Sequence, residues 1–282
     1  MNKLRIMTNN VWSCGKNQPW WQERGLDCSS HARAPKFARV YKETMPDMIG
    51  WQESDAFFRN LVIPEMTRLD MNYELITAGC TSILYNKDTL TLCESHFVPY
   101  PESMPGYEGV FNNAGSKSYG IAVFKAKESD KHIIFASTHL WWKSANPENK
   151  HYYPHSSEAR AFQLNMLLDA IEPLRTKYSC PAVVVGDLND TYNSLALKTA
   201  FDRGYRHAHD IAVEYADDRD GYHFCFPEGY KLYENPKPFE KGIDHILIKG
   251  EPEGFVRRFE RYTPDYYMPL SDHFPAWADV EF

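Results

Sequence analysis

This sequence predicts a mixed α/β fold, with mixed sheets at the centre and helices packed outside them. Three observations carry that prediction. Short runs such as "AVVVGDL" (182–188) and "IDHILIKG" (243–250) are apolar nearly throughout, as strands covered on both faces are. Helical patterns separate some of these runs while others follow one another directly, so crossover and hairpin-like connections are both expected. Finally, four strands end in polar groups and two begin with them. All six can share one rim only if the last two strands run opposite to the rest.

In chain order the expected strands are "LRIMTNNVW" (4–12), "DMIGWQE" (47–53), "TSILYN" (81–86), "YGIAVFKA" (119–126) and "KHIIFASTHL" (131–140). The two runs quoted above and "AWADVEF" (276–282) complete the set. The first helix reads as "RAPKFARVYKETM", with Pro35 suited to a first turn and Phe37, Val40, Tyr41 and Met45 on one face. In "SSEARAFQLNMLLDAI" a Ser cap and an early Glu precede a stripe of Phe162, Met166, Ala170 and Ile171. Pro173 is expected to end or bend that helix. "SLALKTAFDRG" places Leu197, Ala200 and Phe201 inward, with Gly204 as the stop. No repeat, low-complexity tract or Gly/Ser linker divides the chain, so residues 1–282 are expected to form a single domain.

Composition narrows the function. Hydrophobic residues make up 43% of the chain, enough for a sizeable core. The net charge is −7, which weighs against a protein that grips long duplex nucleic acid through its phosphates. Six cysteines are scattered without a C-x-x-C pair, which argues against a structural zinc site and a tight disulfide framework. No signal-like N-terminus and no membrane-length apolar run are present, so a cytoplasmic location with reduced thiols is expected.

The strand ends hold the chemistry. Asn10 closes the first strand, Glu53 the second, His139 follows "FAST", and Asp187 with Asn189 follows the valine run. Asp244 opens "IDHILI", and Asp272–His273 precede "FPAWADVEF". Each alone reads as turn or surface chemistry; together they read as side chains displayed on one rim. Asp187 and Asn189 are two apart, which on extended backbone points both to one side. Gly186 and Asp190 are left to the turn.

These pieces, "TNNVW", "GWQES", "STHL", "GDLND", "IDHIL" and "SDHFP" in that order over nearly the whole chain, resemble the endonuclease/exonuclease/phosphatase superfamily. Two departures stand out: Leu188 occupies a place where Phe is frequent, and His245 one where an aromatic is common. The resemblance implies a four-layer sandwich of two mixed β-sheets packed face to face, with helices outside. It also implies a divalent-metal-dependent phosphoester hydrolase using Mg2+ or Mn2+, as one or two ions.

Glu53 would be the leading metal ligand, with Asn10 beside it and Asp272 reaching the same ion; a second ion would lie near Asp187. Asp187 would orient or deprotonate the attacking water, and Asn189 would donate to a phosphate oxygen. His273, held by Asp244, would pair with the phosphate or act as the base, and both roles stay open. His139 would donate to the phosphate or the leaving oxygen.

Around this set, Trp142 and Tyr192 are candidate substrate contacts, and Asn193 reads as a helix cap. The aromatic loop from Trp141 to Ser157 is equally consistent with a lid or with rim packing. "HYYPH" and "HAHD" read as surface histidines rather than metal motifs. The substrate reading favours a small or single-stranded phosphodiester, or an organic phosphate monoester. A single-stranded nucleic acid or nucleotide is the possible macromolecular partner, and no obligatory protein partner is evident. A nuclease on DNA or RNA, and a non-catalytic binding platform, are the alternatives.

Overall fold

In the computed structural model the described residues are 3–12, 23, 25, 27–113, 115–215, 221–222, 237–238, 242–250, 252–267 and 269–281. Two mixed sheets organise them. The larger contains β1 (Lys3–Asn10), β2 (Met48–Gln52), β3 (Tyr73–Ala78), β4 (Thr81–Asn86), β10 (Glu214–Tyr215), β14 (Val256–Arg261) and β15 (Ala276–Glu281). Its strand order is β10-β14-β15-β1-β2-β4-β3. The second contains β5 (Leu90–Pro99), β6 (Ser118–Ala126), β7 (His132–His139), β8 (Ala182–Asp187), β9 (Arg206–His207) and β13 (Asp244–Lys249), in the order β5-β6-β7-β8-β13-β9. A short ribbon pairs β11 (Gly221–Tyr222) with β12 (Lys237–Pro238).

The inner faces of the two sheets meet in one apolar layer that includes Ile6, Met48, Ile83, Val183, Val185, Ile246 and Val280. Helices α1 (Ser30–Thr44) and α2 (Ala56–Arg68) cover the outer face of the larger sheet, where Phe37, Tyr41 and Phe58 pack on Met7, Ile49 and Trp51. Helices α3 (Ser156–Tyr178) and α4 (Leu195–Asp202) cover the other outer face, packing Leu164, Leu167, Ile171 and Leu197 on Ile134, Val184 and Leu247. A short helix, α5 (Ala208–Ile211), follows β9. The result is the four-layer α/β/β/α sandwich that the sequence predicts.

The two sheets approach closely at Gly50 of β2. A Cβ on Gly50 would lie 2.4 Å from Val185 Cγ2 and 2.8 Å from Ser137 Oγ, so only glycine lets β2 approach β7 and β8 this closely. Buried Gln52 bridges the same gap, donating to Ser137 Oγ at 3.1 Å.

Several local expectations are corrected. Helix α1 starts five residues before Pro35, where the Ser29 hydroxyl accepts from the Ala32 N–H, so Pro35 lies in the second turn. Pro173 does not end α3, which runs on to Tyr178. A helical proline denies a partner to the carbonyl four residues earlier. Those residues, His31 before Pro35 and Asp169 before Pro173, are exposed, where water can take the bond.

The start of α3 has no side-chain cap: His155 takes the cap position and the Ser156 hydroxyl donates to the Tyr153 carbonyl instead. Its fully buried line is Leu164, Leu167, Leu168 and Ile171, with Phe162, Met166 and Ala170 on the half-buried flank. Ser194, not Asn193, caps α4, and Met45 is exposed beyond α1. Strands β3, β5 and β14 and helix α2 go beyond the sequence reading. Cys28, Cys80, Cys93 and Cys180 are free thiols, while Cys14, Cys225 and Phe282 lie outside the described residues. Among the described residues no helix is long and apolar enough to cross a membrane.

Candidate active site

The strand directions bring the polar ends together. β1 runs parallel to β2, and β7 parallel to β8, so Asn10, Gln52, His139 and Asp187 all sit at C-terminal ends. β13 is antiparallel to β8 with Asp244 directly opposite Asp187. β15 is antiparallel to β1, pairing Ala276 with Thr8, which returns the preceding Asp272–His273 segment to the Asn10 end. A cleft of about 470 Å³ opens there, lined by Glu53, Cys80, Ser116, Lys117, His139, Trp142, Asp187, Asn189, Asp272 and His273.

Asp187 is buried at the centre. Its Oδ1 accepts the Asn189 N–H at 2.8 Å and its Oδ2 accepts from Asn10 Nδ2 at 3.0 Å, a bond that crosses from one sheet to the other. His139 Nε2 and His273 Nε2 lie 3.4 and 3.8 Å from the same Oδ2. Gly186 makes this position possible, because a Cβ there would stand 2.1 Å from the Thr138 carbonyl oxygen.

His273 forms the opposite pole. Its Nδ1 meets Asp244 Oδ2 at 2.7 Å, and its backbone N–H is fixed by Ser271 Oγ, which itself donates to the Asn10 carbonyl. Burial alone would make this imidazole less basic. The carboxylates of Asp244, Asp187 and Asp272 outweigh that and raise its pKa well above the ordinary histidine range. Asp187, Asp244 and His273 place one donor atom each within 4.8 Å of one another, a spacing that could hold a cation. With His273 protonated, the same cluster is a buried ion-paired imidazolium.

His139 is in the opposite state. Burial, followed by the charge of Lys117, pushes its pKa down to about 4, against the pull of Asp187 and Glu53. Lys117 Nζ bonds His139 Nε2. An ammonium can only donate, so Nε2 accepts and carries no proton. Buried Lys117 is therefore the cation at this wall of the cleft. It is held at its backbone by Asn112, whose side chain accepts the Lys117 N–H at 2.9 Å and donates to its carbonyl at 2.9 Å. The sequence reading missed Lys117 because "NNAGSKSYG" shows only a loop before a strand.

Other predicted residues divide into those in the cleft and those behind it. Glu53, Asp272 and Asn189 line it. Glu53 and Asn189 both have left-handed backbone, at φ 59° and 50°. That conformation is common for Asn and costly for Glu, and such strain concentrates at functional sites. It also overturns the extended-backbone argument for the Asp187–Asn189 spacing: β8 ends at Asp187, and Asn189 Nδ2 donates back to the Leu140 carbonyl at 3.1 Å. Asn10 sits behind the lining, its Oδ1 accepting the Trp12 N–H at 2.9 Å while Nδ2 holds Asp187.

Trp142 is 40% exposed on the rim, whereas Trp141 is buried with Phe111 and Met104. Tyr192 is not among the cleft-lining residues; its hydroxyl donates to Asp210 and its ring packs on Phe201 and His207.

"HYYPH" is a surface segment, with His151 and His155 both exposed. "HAHD" is not: His207 and His209 are buried. His245 Nε2 faces the Asp190 carbonyl at 2.8 Å and must donate to it, so its Nδ1 accepts from His207 Nε2 at 3.1 Å. His207 Nδ1 accepts in turn from the His209 N–H. This neutral row backs the loop that carries Asp187 and Asn189.

No family model matches the chain, and no curated protein matches it. Solved structures do. An endonuclease/exonuclease/phosphatase family protein from Bacteroides thetaiotaomicron superposes with TM-score 0.75 at 16% identity, over 99% of this chain and 98% of its own. A mannosyl-6-phosphatase from the same organism gives 0.74 at 18%, over 99% and 100%. The human Nocturnin catalytic domain, with sulfate bound, gives 0.61 at 14%, over 99% and 93%. With these likenesses and its own two-sheet topology, the chain has the DNase-I-like fold.

Proposed function

We propose that this protein is a divalent-metal-dependent phosphoester hydrolase acting on a small or single-stranded phosphodiester or an organic phosphate monoester. One observation carries the reading: the Asp187 carboxylate, which accepts from two donors, stands 3.8 Å from Nε2 of the His273 imidazolium held by Asp244, and both line one cleft. Water attack on phosphorus needs an acceptor for the water proton and positive charge on the phosphate oxygens. Asp187 supplies the first. His273, kept protonated by three carboxylates, supplies charge and an Nε2–H rather than a base. Lys117 supplies a second cation, and His139 aims it instead of donating to the phosphate itself. Asn189 offers an amide beside Asp187.

The donor set suits a hard cation. Glu53 and Asp272 present carboxylates to the cleft, with Asn10 behind them. Cys80 also faces it, but burial raises its thiol pKa and keeps it a poor ligand. Mg2+ or Mn2+ held by Glu53 and Asp272, as one or two ions, would supply charge to a phosphate oxygen and to the leaving group. The net charge of −7 favours a compact substrate over long duplex DNA, and Trp142 offers it an exposed aromatic face at the cleft.

The test is a metal-supplemented phosphoester panel of sugar phosphates, nucleotides, lipid head groups, aryl esters and single-stranded oligonucleotides. Turnover of small esters above that of oligonucleotides supports the proposal. Preferential digestion of oligonucleotides makes it a nuclease. Binding without turnover of any member makes it a platform.

A further inference from the structure

The sequence leaves Asp190 to turn chemistry, yet its side chain is the end of a buried ion pair. Arg160 on α3, 4% exposed, donates from Nε to Asp190 Oδ2 at 2.9 Å. The same guanidinium donates from Nη1 to the Lys143 carbonyl at 2.7 Å and reaches the Trp141 carbonyl at 3.4 Å. Those two carbonyls flank Trp142, the exposed aromatic of the cleft. One side chain therefore fixes the backbone on both sides of Trp142 and ties it to the residue three beyond Asp187. From the other side, His245 holds the Asp190 carbonyl. The Trp142 ring is completed as a wall by Lys143 Nζ, 4.0 Å from its centroid, and by His151 edge-on at 5.2 Å.

We infer that Arg160 is a positioning residue for substrate binding: it holds the Trp142 wall at a fixed distance from the phosphate-facing groups, so that the organic part of the ester docks on that ring. The inference rests on the phosphoester reading of the cleft. A guanidinium is required because its planar fork can address a carboxylate and backbone carbonyls together, which a single ammonium cannot.

Arg160→Lys is the deciding variant, since it keeps a charge against Asp190 and so protects the fold, which thermal unfolding checks. Four proteins are compared: wild type, Arg160→Lys, Trp142→Ala and the double variant. KM and kcat are measured on an aryl phosphate ester, and calorimetry gives the dissociation constant of phenylphosphonate, which cannot be hydrolysed. Arg160→Lys should raise KM and the dissociation constant about tenfold with kcat changed less than about threefold, and should add nothing once Trp142 is gone. Effects that add in the double variant, an unchanged dissociation constant, or a loss confined to kcat each overturn it. If wild type turns over no ester but binds phenylphosphonate, the hydrolase reading fails while the binding cycle still decides the role of Arg160. Absence of phenylphosphonate binding by wild type overturns the inference as well.

Discussion

Mild acid should weaken this protein more than its carboxylates alone dictate, and His245 is the cause. Its Nε2 donates to the Asp190 carbonyl and its Nδ1 accepts from His207, so a second proton would set two N–H groups against each other. Burial is the main force lowering its pKa from 6.5 to about 4, with Asp190 opposing and Arg261 assisting. Between those values the unfolded chain carries a proton on this ring and the folded chain does not. The stability is thus complete above the unfolded pKa and is lost as pH falls towards the folded one. By about pH 5 the loss from this ring is about 2 kcal/mol. Buried His207, shifted well down in the same direction by burial and by its histidine neighbours, adds to it.

His273 works in the opposite sense. Its folded pKa is raised, so its contribution is full below the unfolded pKa and declines as pH rises through the folded one. Wild type alone would mix the two effects. His245→Gln keeps a donor for Asp190 and cannot titrate, and the His273 contribution cancels in the comparison. Urea unfolding at about pH 8, 7, 6 and 5 should show wild type losing about 2 kcal/mol more than the variant between the neutral and acid ends. Equal pH slopes for the two proteins would refute the neutral, hydrogen-bonded row.

Further outcomes follow from the same geometry. Asp244→Asn removes the main attractive charge on His273, so kcat should fall about a hundredfold with less change in KM, measured on the best ester of the panel. Lys117→Met removes a charge that lowers the His139 pKa, so the His139 ring protons should titrate above their wild-type midpoint of about 4 in an NMR titration, and KM should rise. Gly50→Ala forces a methyl against Val185 and Ser137, and should destabilise the fold by about 1–3 kcal/mol in urea unfolding.

The parts of the site that were legible are those fixed by strand ends. Apolar runs ending in Asp187 and His139, and another beginning at Asp244, require the later strands to run opposite to the earlier ones, and β13 does run antiparallel to β8. What stayed hidden depends on long-range partners. Lys117 is the last residue of a polar loop, and nothing local says that its ammonium is buried against His139. Arg160 looks like one more charge on an amphipathic helix, although it faces inward to Asp190. His207 of "HAHD" looks like a surface residue because its partner, His245, is 38 positions away in sequence. Prolines misled the helix boundaries because exposure of the carbonyl four residues earlier is a tertiary fact. Strands β3 and β5 at the sheet edges and β14 next to one are half-solvated, and their patterns are weaker than those of the central strands.

The proposed hydrolase stands on the Asp187 carboxylate, which the strand end displays in the cleft. Turnover of the best panel ester, measured with Mg2+ or Mn2+ and again with chelator, in wild type and in Asp187→Asn, tests this most directly. Metal-dependent turnover by wild type, its loss in chelator, and a fall of about a thousandfold or more in the variant, assayed below its thermal midpoint, are expected. Equal turnover by wild type and Asp187→Asn would contradict it.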